Sequence, residues 1–394
     1  MVSAGARTLL DAVRELDTRW QRRRAPDERH VLIDARTSME YAMMAPVHRR
    51  LLQDPRVRVH LTSSERPGRM TAIYREAGSG CLLLPRRAMR MKFDACLAAD
   101  FIWATLPRGT RRVQMFHGVA GKWGHIYDRP AASMRQWDRL FFINRRRLQN
   151  FIASGAVTAD SPAIRLVGMP KADCLVDGTL RRDEVLERHG IDPSTRTVLY
   201  APTWTRFSSL NAMGEEVVSR LVDAGYMVLV KLHDNSLDMA HENSGGVDWA
   251  ARLEPILRRG GGRLVRDGNA APWLVASDVL VTDHSSIGFE YLLLDRPLVR
   301  IEMPELISGA HVPTEYVELM AEAAASVRDA AGVLQAVDAA FQNPVDGSEQ
   351  RRRVAEELFF DPGRATERAV AEIYALMELA GPARFDPAAS GLVS

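Results

Sequence analysis

Short apolar runs of strand length alternate along the chain with longer segments whose apolar residues recur at helical spacing. The first half predicts strands at 30–35, 57–63, 80–84, 100–104, 112–116, 139–143 and 164–168, with helices at 38–53 and 144–154. The second half predicts strands at 197–202, 226–232, 263–267, 278–283 and 297–302, with helices at 214–224, 248–259, 285–294, 350–359 and 365–380. Continuous apolar strands are typical of parallel sheets covered on both faces. The pattern therefore predicts an α/β protein with two doubly wound domains facing a central cleft.

A polar segment marks the predicted boundary between the two domains. The chain has 394 residues, and a prior of roughly 150 residues per domain suggests two or three domains. The stretch DGTLRRDEVLERHGIDPS is polar and ends in turn residues. We therefore expect an N-terminal Rossmann-like α/β domain at 1–180 and a second one at 181–364. The final helix and tail, 365–394, could pack back on the N-terminal domain.

Composition and charge narrow the class of protein. The net charge is +2, from 52 basic and 50 acidic residues, so no nucleic-acid partner is predicted. Three cysteines without a C-x-x-C pair predict neither a disulfide framework nor a zinc site, which fits a reducing cytoplasm. No apolar stretch approaches about 18 residues, and the first residues lack the apolar core of a signal peptide.

Three arginine runs bear on the surface of the protein. They lie at 22–24, 145–147 and 351–353. Such runs are either solvated helix faces or contacts to phosphates and anionic lipid headgroups. We expect a cytoplasmic protein that could attach peripherally to the inner face of the cytoplasmic membrane.

Histidines directly follow two of the predicted strands. Ligands of parallel sheets bind beyond the carboxyl ends of strands, so both histidines are candidate site residues. HGVAGKWG follows the strand at 112–116 and supplies His117 for proton transfer, Gly118 for close backbone approach and Lys122 for phosphate. His233 follows the strand at 226–232 in the same way. The alternative is a glycine-rich turn and two structural histidines.

The segment VTDHSSIGFEY combines a strand end with a predicted helix start. Free amides at that start, with Asp283, His284, Ser285 and Ser286, predict a phosphate pocket, unless Asp283 or Ser285 only caps the helix.

The loop TWTRF follows the strand at 197–202. It adds Thr203 and Arg206 as donors to phosphate or ribose and Trp204 as a platform for a base, or a merely packed tryptophan. No G-x-G-x-x-G or Walker loop is present, so nicotinamide and ATP are disfavoured.

Six segments in order resemble the CDP-glycerol glycerophosphotransferase family, the teichoic-acid primases and polymerases. They are HGVAGK, GMPKADCL, LYAPTW, VKLHDN, VTDHSSIGFEYLLLDRPLV and DPGRATERAV, over roughly residues 110–375. The resemblance implies a GT-B fold with an acceptor-side N-terminal domain and a nucleotide-donor-binding C-terminal domain. It assigns catalysis and donor phosphate binding to His117 and His233, and the nucleotide diphosphate to Ser285 and Ser286.

Three positions depart from the family pattern. Asp234 follows the second histidine where the family usually has proline, and His284 stands where a tyrosine is usual. Thr205 displaces the expected arginine by one position to Arg206.

The resemblance implies attack by an acceptor hydroxyl on the glycerol-bearing phosphorus of CDP-glycerol or a related CDP-polyol, with release of CMP. His117 would act as general base, and His233 with Lys122 and Arg206 would neutralise the diphosphate, while residues 283–288 hold the leaving nucleotide. We expect no metal and no cofactor, so activity should persist in EDTA.

The acceptor would be a lipid-linked molecule or a polysaccharide of the cell envelope, as in teichoic-acid-like polymer synthesis. One alternative is a nucleotide-sugar GT-B glycosyltransferase or a 2-epimerase-like enzyme. Another is a non-catalytic subunit of envelope-polysaccharide assembly.

Overall fold

The computed structural model describes residues 26–78, 82–99, 107, 109–116, 118–119, 134–266 and 268–381, without the side chain of Asn243. Within these ranges the N-terminal half forms a parallel sheet of six strands in the order β2-β1-β3-β4-β5-β6. Its strands are β1 (Arg29–Asp34), β2 (Val57–Thr62), β3 (Ala95–Ala98), β4 (Arg111–Met115), β5 (Arg139–Phe142) and β6 (Ile164–Leu166).

The second half forms another parallel sheet, again with six strands in the described ranges, in the order β12-β11-β10-β7-β8-β9. Its strands are β7 (Thr197–Tyr200), β8 (Met227–Lys231), β9 (Arg263–Val265), β10 (Val279–Thr282), β11 (Leu298–Ile301) and β12 (Ala325–Val327). All four residues of β7 and of β10 are buried, as expected for central strands covered on both faces.

Helices connect the strands and cover the sheets. In the N-terminal half they are α1 (Ser38–Leu52), α2 (Met70–Ile73), α3 (Pro85–Ala88) and α4 (Arg145–Ala153). In the second half they are α5 (Arg182–Arg188), α6 (Ser209–Asp223), α7 (Asp234–Leu237), α8 (Trp249–Arg259), α9 (Ala271–Ala276), α10 (Ser286–Tyr291), α11 (Pro304–Gly309), α12 (Thr314–Ala323), α13 (Ala330–Gln342), α14 (Ser348–Leu358) and α15 (Ala365–Leu376). Thr37 caps α1 by accepting the N–H of Glu40. Pro46 lies inside α1 without splitting it.

The last helix, α15, packs on the N-terminal sheet. Its residues Val370 and Ile373 belong to the same buried cluster as Val31 and Ile33 of β1. The Asp173 carboxylate, just after β6, accepts the main-chain N–H groups of Gly363, Ala365 and Thr366 at 2.7 to 3.0 Å. The segments GMPKADCL and DPGRATERAV therefore hold each other together, and the chain crosses back from the second sheet to the first.

Two parts of the sequence-based assignment differ from the structure, and a third is not tested. The strand expected at 100–104 falls outside the described residues and stays a prediction, while β3, Ala95–Ala98, was not predicted. Of the strand expected at 80–84, Leu82 forms a single bridge with Leu61, and 79–81 are not described. The region 303–349, for which no element was predicted, contains α11, α12, β12 and α13.

His48 gives the N-terminal domain a pH-dependent stability. It is buried on α1, where Nδ1 lies 2.9 Å from the Tyr41 hydroxyl. Burial, with Arg49 nearby, lowers the pKa of His48 from 6.5 to about 4. The unfolded chain therefore binds a proton between pH 6.5 and 4 that the folded chain does not. We expect the free energy of unfolding to fall by about 3 kcal/mol as the pH drops through that window.

Urea unfolding at several pH values measures this effect. The difference between pH 7 and pH 4 should shrink by that amount in His48→Gln, which cannot take up the proton. An unchanged pH dependence in His48→Gln would assign the acid sensitivity to other groups.

Candidate active site

The strand order brings three of the predicted loops together. The strands β10, β7 and β8 are neighbours in the second sheet, and all run parallel. Their carboxyl ends therefore lie side by side at one edge. Asp283, Thr203 and His233 follow these three strands, so the residues predicted for donor binding share one face of the domain.

Asp283 lies inside the protein rather than in the cleft. Its side chain has 0% exposure. The carboxylate accepts the N–H of Thr203 at 2.8 Å and both the N–H and the hydroxyl of Ser209 at 3.0 Å. It joins the loop after β7 and the start of α6 to the end of β10. Because its oxygens are occupied by protein donors, Asp283 supports the binding loops, in place of the substrate contact expected from the sequence.

The two serines of VTDHSSIGFEY, Ser285 and Ser286, lie at the start of α10. Ser285 is the N-cap residue, with extended backbone, and its hydroxyl makes no capping hydrogen bond. Both serines are half-buried. His284 is buried instead, with its ring packed edge-on against Phe289 at 5.8 Å. The serine hydroxyls and first amides of α10 are therefore the groups of this motif that can reach a ligand.

Gly118 of the N-terminal domain meets this helix start. It follows β4 with φ +90°, and a Cβ built there would lie 3.4 Å from Ser286 Oγ. Glycine tolerates this left-handed conformation, so the backbone approaches Ser286 closely. His117 and Lys122, predicted for the same loop, lie outside the described residues. The contact brings two predicted site motifs from opposite domains together.

His233 and Trp204 form an aromatic pair at the carboxyl edge of the second sheet. Their rings lie 5.4 Å apart with an interplanar angle of 30°. His233 Nδ1 accepts the N–H of Asn235 at 3.1 Å, which fixes the ring at the start of α7. Trp204 is half-buried and also contacts His241 edge-on at 5.9 Å. The pair provides an indole ring and an imidazole of fixed orientation at the ends of β7 and β8, and β7 is the neighbour of β10, which precedes the serines.

Arg206 and Asp234 complete the described rim of the site. Arg206 is exposed, with its guanidinium carbon 4.6 Å from the Phe207 ring. Asp234, which stands where the family usually has proline, accepts a hydrogen bond from Ser38 of α1 at 3.0 Å. The departure at Asp234 thus links the two domains through a polar contact that proline lacks.

Two functional contacts are not apparent from the sequence patterns alone. The half-buried Lys171 forms an ion pair with the buried Glu290 of α10 at 2.9 Å, so the segment GMPKADCL also stabilises the helix that begins with the two serines. Arg147 donates a hydrogen bond to the Gly118 carbonyl at 2.8 Å. The run of three arginines was the only sequence signal for Arg147, and it does not distinguish the three side chains.

All three arginines of the run at 351–353 form ion pairs within the protein, and only the first of them is buried. Arg351 is buried and pairs with Asp295 at 3.1 Å, while Arg353 pairs with Glu322. Arg352 is largely exposed, 3.5 Å from Asp295. Residues 22–24 lie outside the described ranges. Across the part of the chain that the structure describes, no helix is both long and apolar enough to cross a membrane.

The contact at Gly118 can be tested with a matched pair of glycine variants. Gly118→Ala and Gly155→Ala place a Cβ at similar positive φ values, but Gly155 has nothing within 4 Å. Both should lose about 1–2 kcal/mol of stability from the strained backbone. Only Gly118→Ala should lower nucleotide-dependent turnover, by roughly tenfold or more, because relief of its backbone strain shifts a loop that contacts Ser286, whereas the same strain at Gly155 lies away from the site. Equal activities of the two variants would contradict the role of this contact.

Comparison with known sequences gives the family. Residues 103–375 match the family model described as CDP-Glycerol:Poly(glycerophosphate) glycerophosphotransferase. A teichoic acid poly(glycerol phosphate) polymerase of Bacillus spizizenii is 24% identical over 226 residues, which are 50% of this chain and 53% of that protein. A teichoic acid glycerol-phosphate primase of the same organism is 26% identical over 34% of this chain and 32% of its own length. The chain thus spans about half or less of the curated relatives it matches.

Solved structures give the fold. The wall teichoic acid polymerase TagF superposes with a TM-score of 0.64 at 15% identity, covering 94% of this chain and 97% of that one. A putative UDP-N-acetylglucosamine 2-epimerase from Listeria monocytogenes reaches 0.56 at 16% identity, covering 91% and 100%. The two doubly wound domains therefore form a GT-B fold, as predicted. Since the family model covers more than half of the chain, the protein belongs to the CDP-glycerol:poly(glycerophosphate) glycerophosphotransferase family.

Proposed function

We propose that this protein transfers glycerol phosphate, or a similar polyol phosphate, from a CDP-linked donor to an acceptor hydroxyl and releases CMP. The observation that carries the proposal is the contact between Gly118 and Ser286. These residues belong to two motifs shared with the family, one in each domain, and they meet across the cleft. A TagF variant of the same fold has been solved after a soak with CDPG, which supports a CDP-linked donor here.

The donor would lie at the carboxyl edge of the second sheet. The hydroxyls of Ser285 and Ser286 and the first amides of α10 would hold the diphosphate, since free N–H groups at a helix start favour anions. Trp204 would stack on the base, and His233 would contact a phosphate oxygen. The main chain at Thr203 is held in place by the hydrogen bond from its N–H group to Asp283.

Charge neutralisation would come from side chains on both domains. The transferred phosphoryl group spreads negative charge over its oxygens, and in-line positioning with cationic groups lowers the barrier. Arg206, which is exposed, and Lys122, which follows β4 in the sequence, are the cations assigned to the diphosphate. His117 would take the proton of the attacking hydroxyl as its oxygen bonds to phosphorus and the bond to the CMP oxygen breaks.

We further propose an acceptor and a cellular location for the transfer. A lipid-linked molecule or an envelope polysaccharide would supply the hydroxyl, as in teichoic-acid-like polymer synthesis. The protein would work in the cytoplasm, with peripheral contact to the inner membrane face bringing it to a lipid-linked acceptor. In the run at 351–353, Arg352 and Arg353 are exposed.

A nucleotide panel tests the function. Thermal shifts with CDP-glycerol, CDP-ribitol, CMP, UDP and UDP-N-acetylglucosamine should show stabilisation by the cytidine compounds, about 2.7 kcal/mol at a ligand concentration of 100 Kd. CMP release should occur with CDP-glycerol and a crude envelope acceptor, and it should persist in EDTA. Stabilisation by the uridine compounds alone would favour a nucleotide-sugar enzyme. Binding without CMP release under any acceptor would favour a non-catalytic assembly subunit.

A further inference from the structure

Arg147 lies directly behind the loop that reaches Ser286. Its Nη1 donates a hydrogen bond to the carbonyl oxygen of Gly118 at 2.8 Å. Gly118 follows His117 in the sequence, and a Cβ built on Gly118 would lie 3.4 Å from Ser286 Oγ of the other domain. A single hydrogen bond therefore connects the Arg147 guanidinium to the residue of the N-terminal domain that contacts Ser286.

The guanidinium rests on a rigid aromatic cluster. Its carbon lies 5.0 Å from the centroid of the Phe116 ring and 5.8 Å from that of Phe151. Phe116, Phe142 and Phe151 are all buried, and their ring centroids lie 4.6 to 5.6 Å apart. A planar cation stacked on such rings loses little freedom when it makes a directed hydrogen bond. The platform thus sets the direction of Nη1.

The backbone of Arg147 is held by a second interaction. Asn144 caps α4 and accepts the N–H of Arg147 on Oδ1 at 2.7 Å. The same side chain donates from Nδ2 to the Leu358 carbonyl of α14 at 2.8 Å. Arg147 is therefore anchored to the C-terminal part of the chain as well as to its own helix.

The other two arginines of the run have different surroundings. Arg145 is exposed, with its guanidinium carbon 5.6 Å from the Phe360 ring, and Arg146 pairs with Glu357. Arg147 Nε is buried and has no hydrogen-bond partner among the residues that the structure describes. A buried guanidinium N–H is costly, so the position of Arg147 is better explained by its bond to Gly118 than by solubility of the helix.

We propose that Arg147 is a positioning residue that holds the Gly118 peptide against Ser286 and thereby sets the main chain next to His117. The inference rests on the transfer reaction proposed above. Fixing the Gly118 carbonyl fixes the peptide plane at the point where the main chain meets Ser286, and the proposed base, His117, is the preceding residue in the sequence. Arg147 acts through this loop and does not contact the donor.

Steady-state kinetics of matched variants test the role. Arg147→Met keeps an apolar side chain on the Phe rings but removes the N–H group that donates to the Gly118 carbonyl. Arg145→Met is the control on the same helix turn. We expect kcat to fall roughly 10- to 100-fold in Arg147→Met, the effect of a lost charged hydrogen bond, with donor KM within about twofold. Arg147→Lys should recover part of kcat because its ammonium group can still donate a hydrogen bond to the Gly118 carbonyl. Arg145→Met should match the wild type.

Hydrogen exchange of the peptide covering residues 113–119 supplies a readout that does not need activity. It should exchange faster in Arg147→Met than in Arg145→Met, while the peptides of β7 and β10 stay unchanged and thermal melting confirms folding. Unchanged exchange at 113–119, or a raised donor KM with normal kcat, would overturn the positioning role. If the wild type releases no CMP from any donor, the proposed function fails, and exchange alone then decides whether Arg147 holds the loop.

Discussion

Replacing Asp283 by alanine is expected to lower the free energy of unfolding by about 3–5 kcal/mol. The substitution removes the acceptor of three hydrogen bonds in a site with no solvent access. The N–H groups of Thr203 and Ser209 and the Ser209 hydroxyl would then be buried without partners, and each unsatisfied donor costs about 1–3 kcal/mol before relaxation. Urea unfolding of the purified variant measures the loss.

A comparison with Ser286→Ala distinguishes a residue that stabilises the fold, Asp283, from one that contacts the ligand, Ser286. Ser286 is half-buried at the start of α10 and has no capping role there, since Ser285 is the N-cap. Ser286→Ala should keep wild-type stability and weaken donor binding. Asp283→Ala should lose stability first, and Asp283→Asn should lose less because one oxygen remains as an acceptor. An Asp283→Ala variant with wild-type stability and weakened nucleotide binding would restore Asp283 as a direct ligand.

The sequence predicts the place of the site better than the role of each residue. Apolar runs locate the central strands, and polar residues just after them lie at the carboxyl edge, as His233 and Ser285 do. The strand order β10-β7-β8, which makes these loops neighbours, depends on pairings between distant segments. The direction of a side chain at a strand end depends on such pairings too. For this reason Asp283 points inward although its position in the sequence suggests the cleft.

Of the elements that were not predicted, the helix α13 has a local sequence signal and the strand β12 has none. Asp329 caps α13 by accepting the N–H of Gly332 at 2.7 Å, and an alanine-rich segment follows, so a helix there was predictable. The edge strand β12 has three residues and is mostly exposed, so it lacks the apolar run that marks the central strands. Its pairing with β11 forms it, which a local pattern does not contain.

Identical residues in one run show where sequence reasoning ends. Arg145, Arg146 and Arg147 are equivalent by charge and helix propensity. In the folded chain one is exposed, one pairs with Glu357 and one binds the Gly118 carbonyl. The difference arises from the 100° turn between successive helix positions and from which neighbour each direction meets. A single sequence therefore identifies the basic segment, and the tertiary contacts assign the task of each arginine.

Replacing His117 by alanine is expected to lower turnover by roughly 10²- to 10⁴-fold, the usual loss when a general base is removed. Donor affinity should be largely kept, because the seat assigned to the nucleotide lies on the other domain, at Ser285, Ser286 and Trp204. His233→Ala should differ by weakening donor binding as well, since His233 lies beside Trp204 at the donor edge. Single-turnover CMP release and CMP binding measure the two effects separately.

The exposed His311, after α11, supplies the control for loss of a histidine. His311→Ala should retain wild-type turnover and wild-type CMP binding. The acid limb of the pH–rate profile should disappear in His117→Ala, because a base that must be unprotonated produces that limb. Near-normal turnover in His117→Ala, or an acid limb that survives the substitution, would move the base to another residue. In that case the contact between Gly118 and Ser286 would serve domain closure rather than proton transfer.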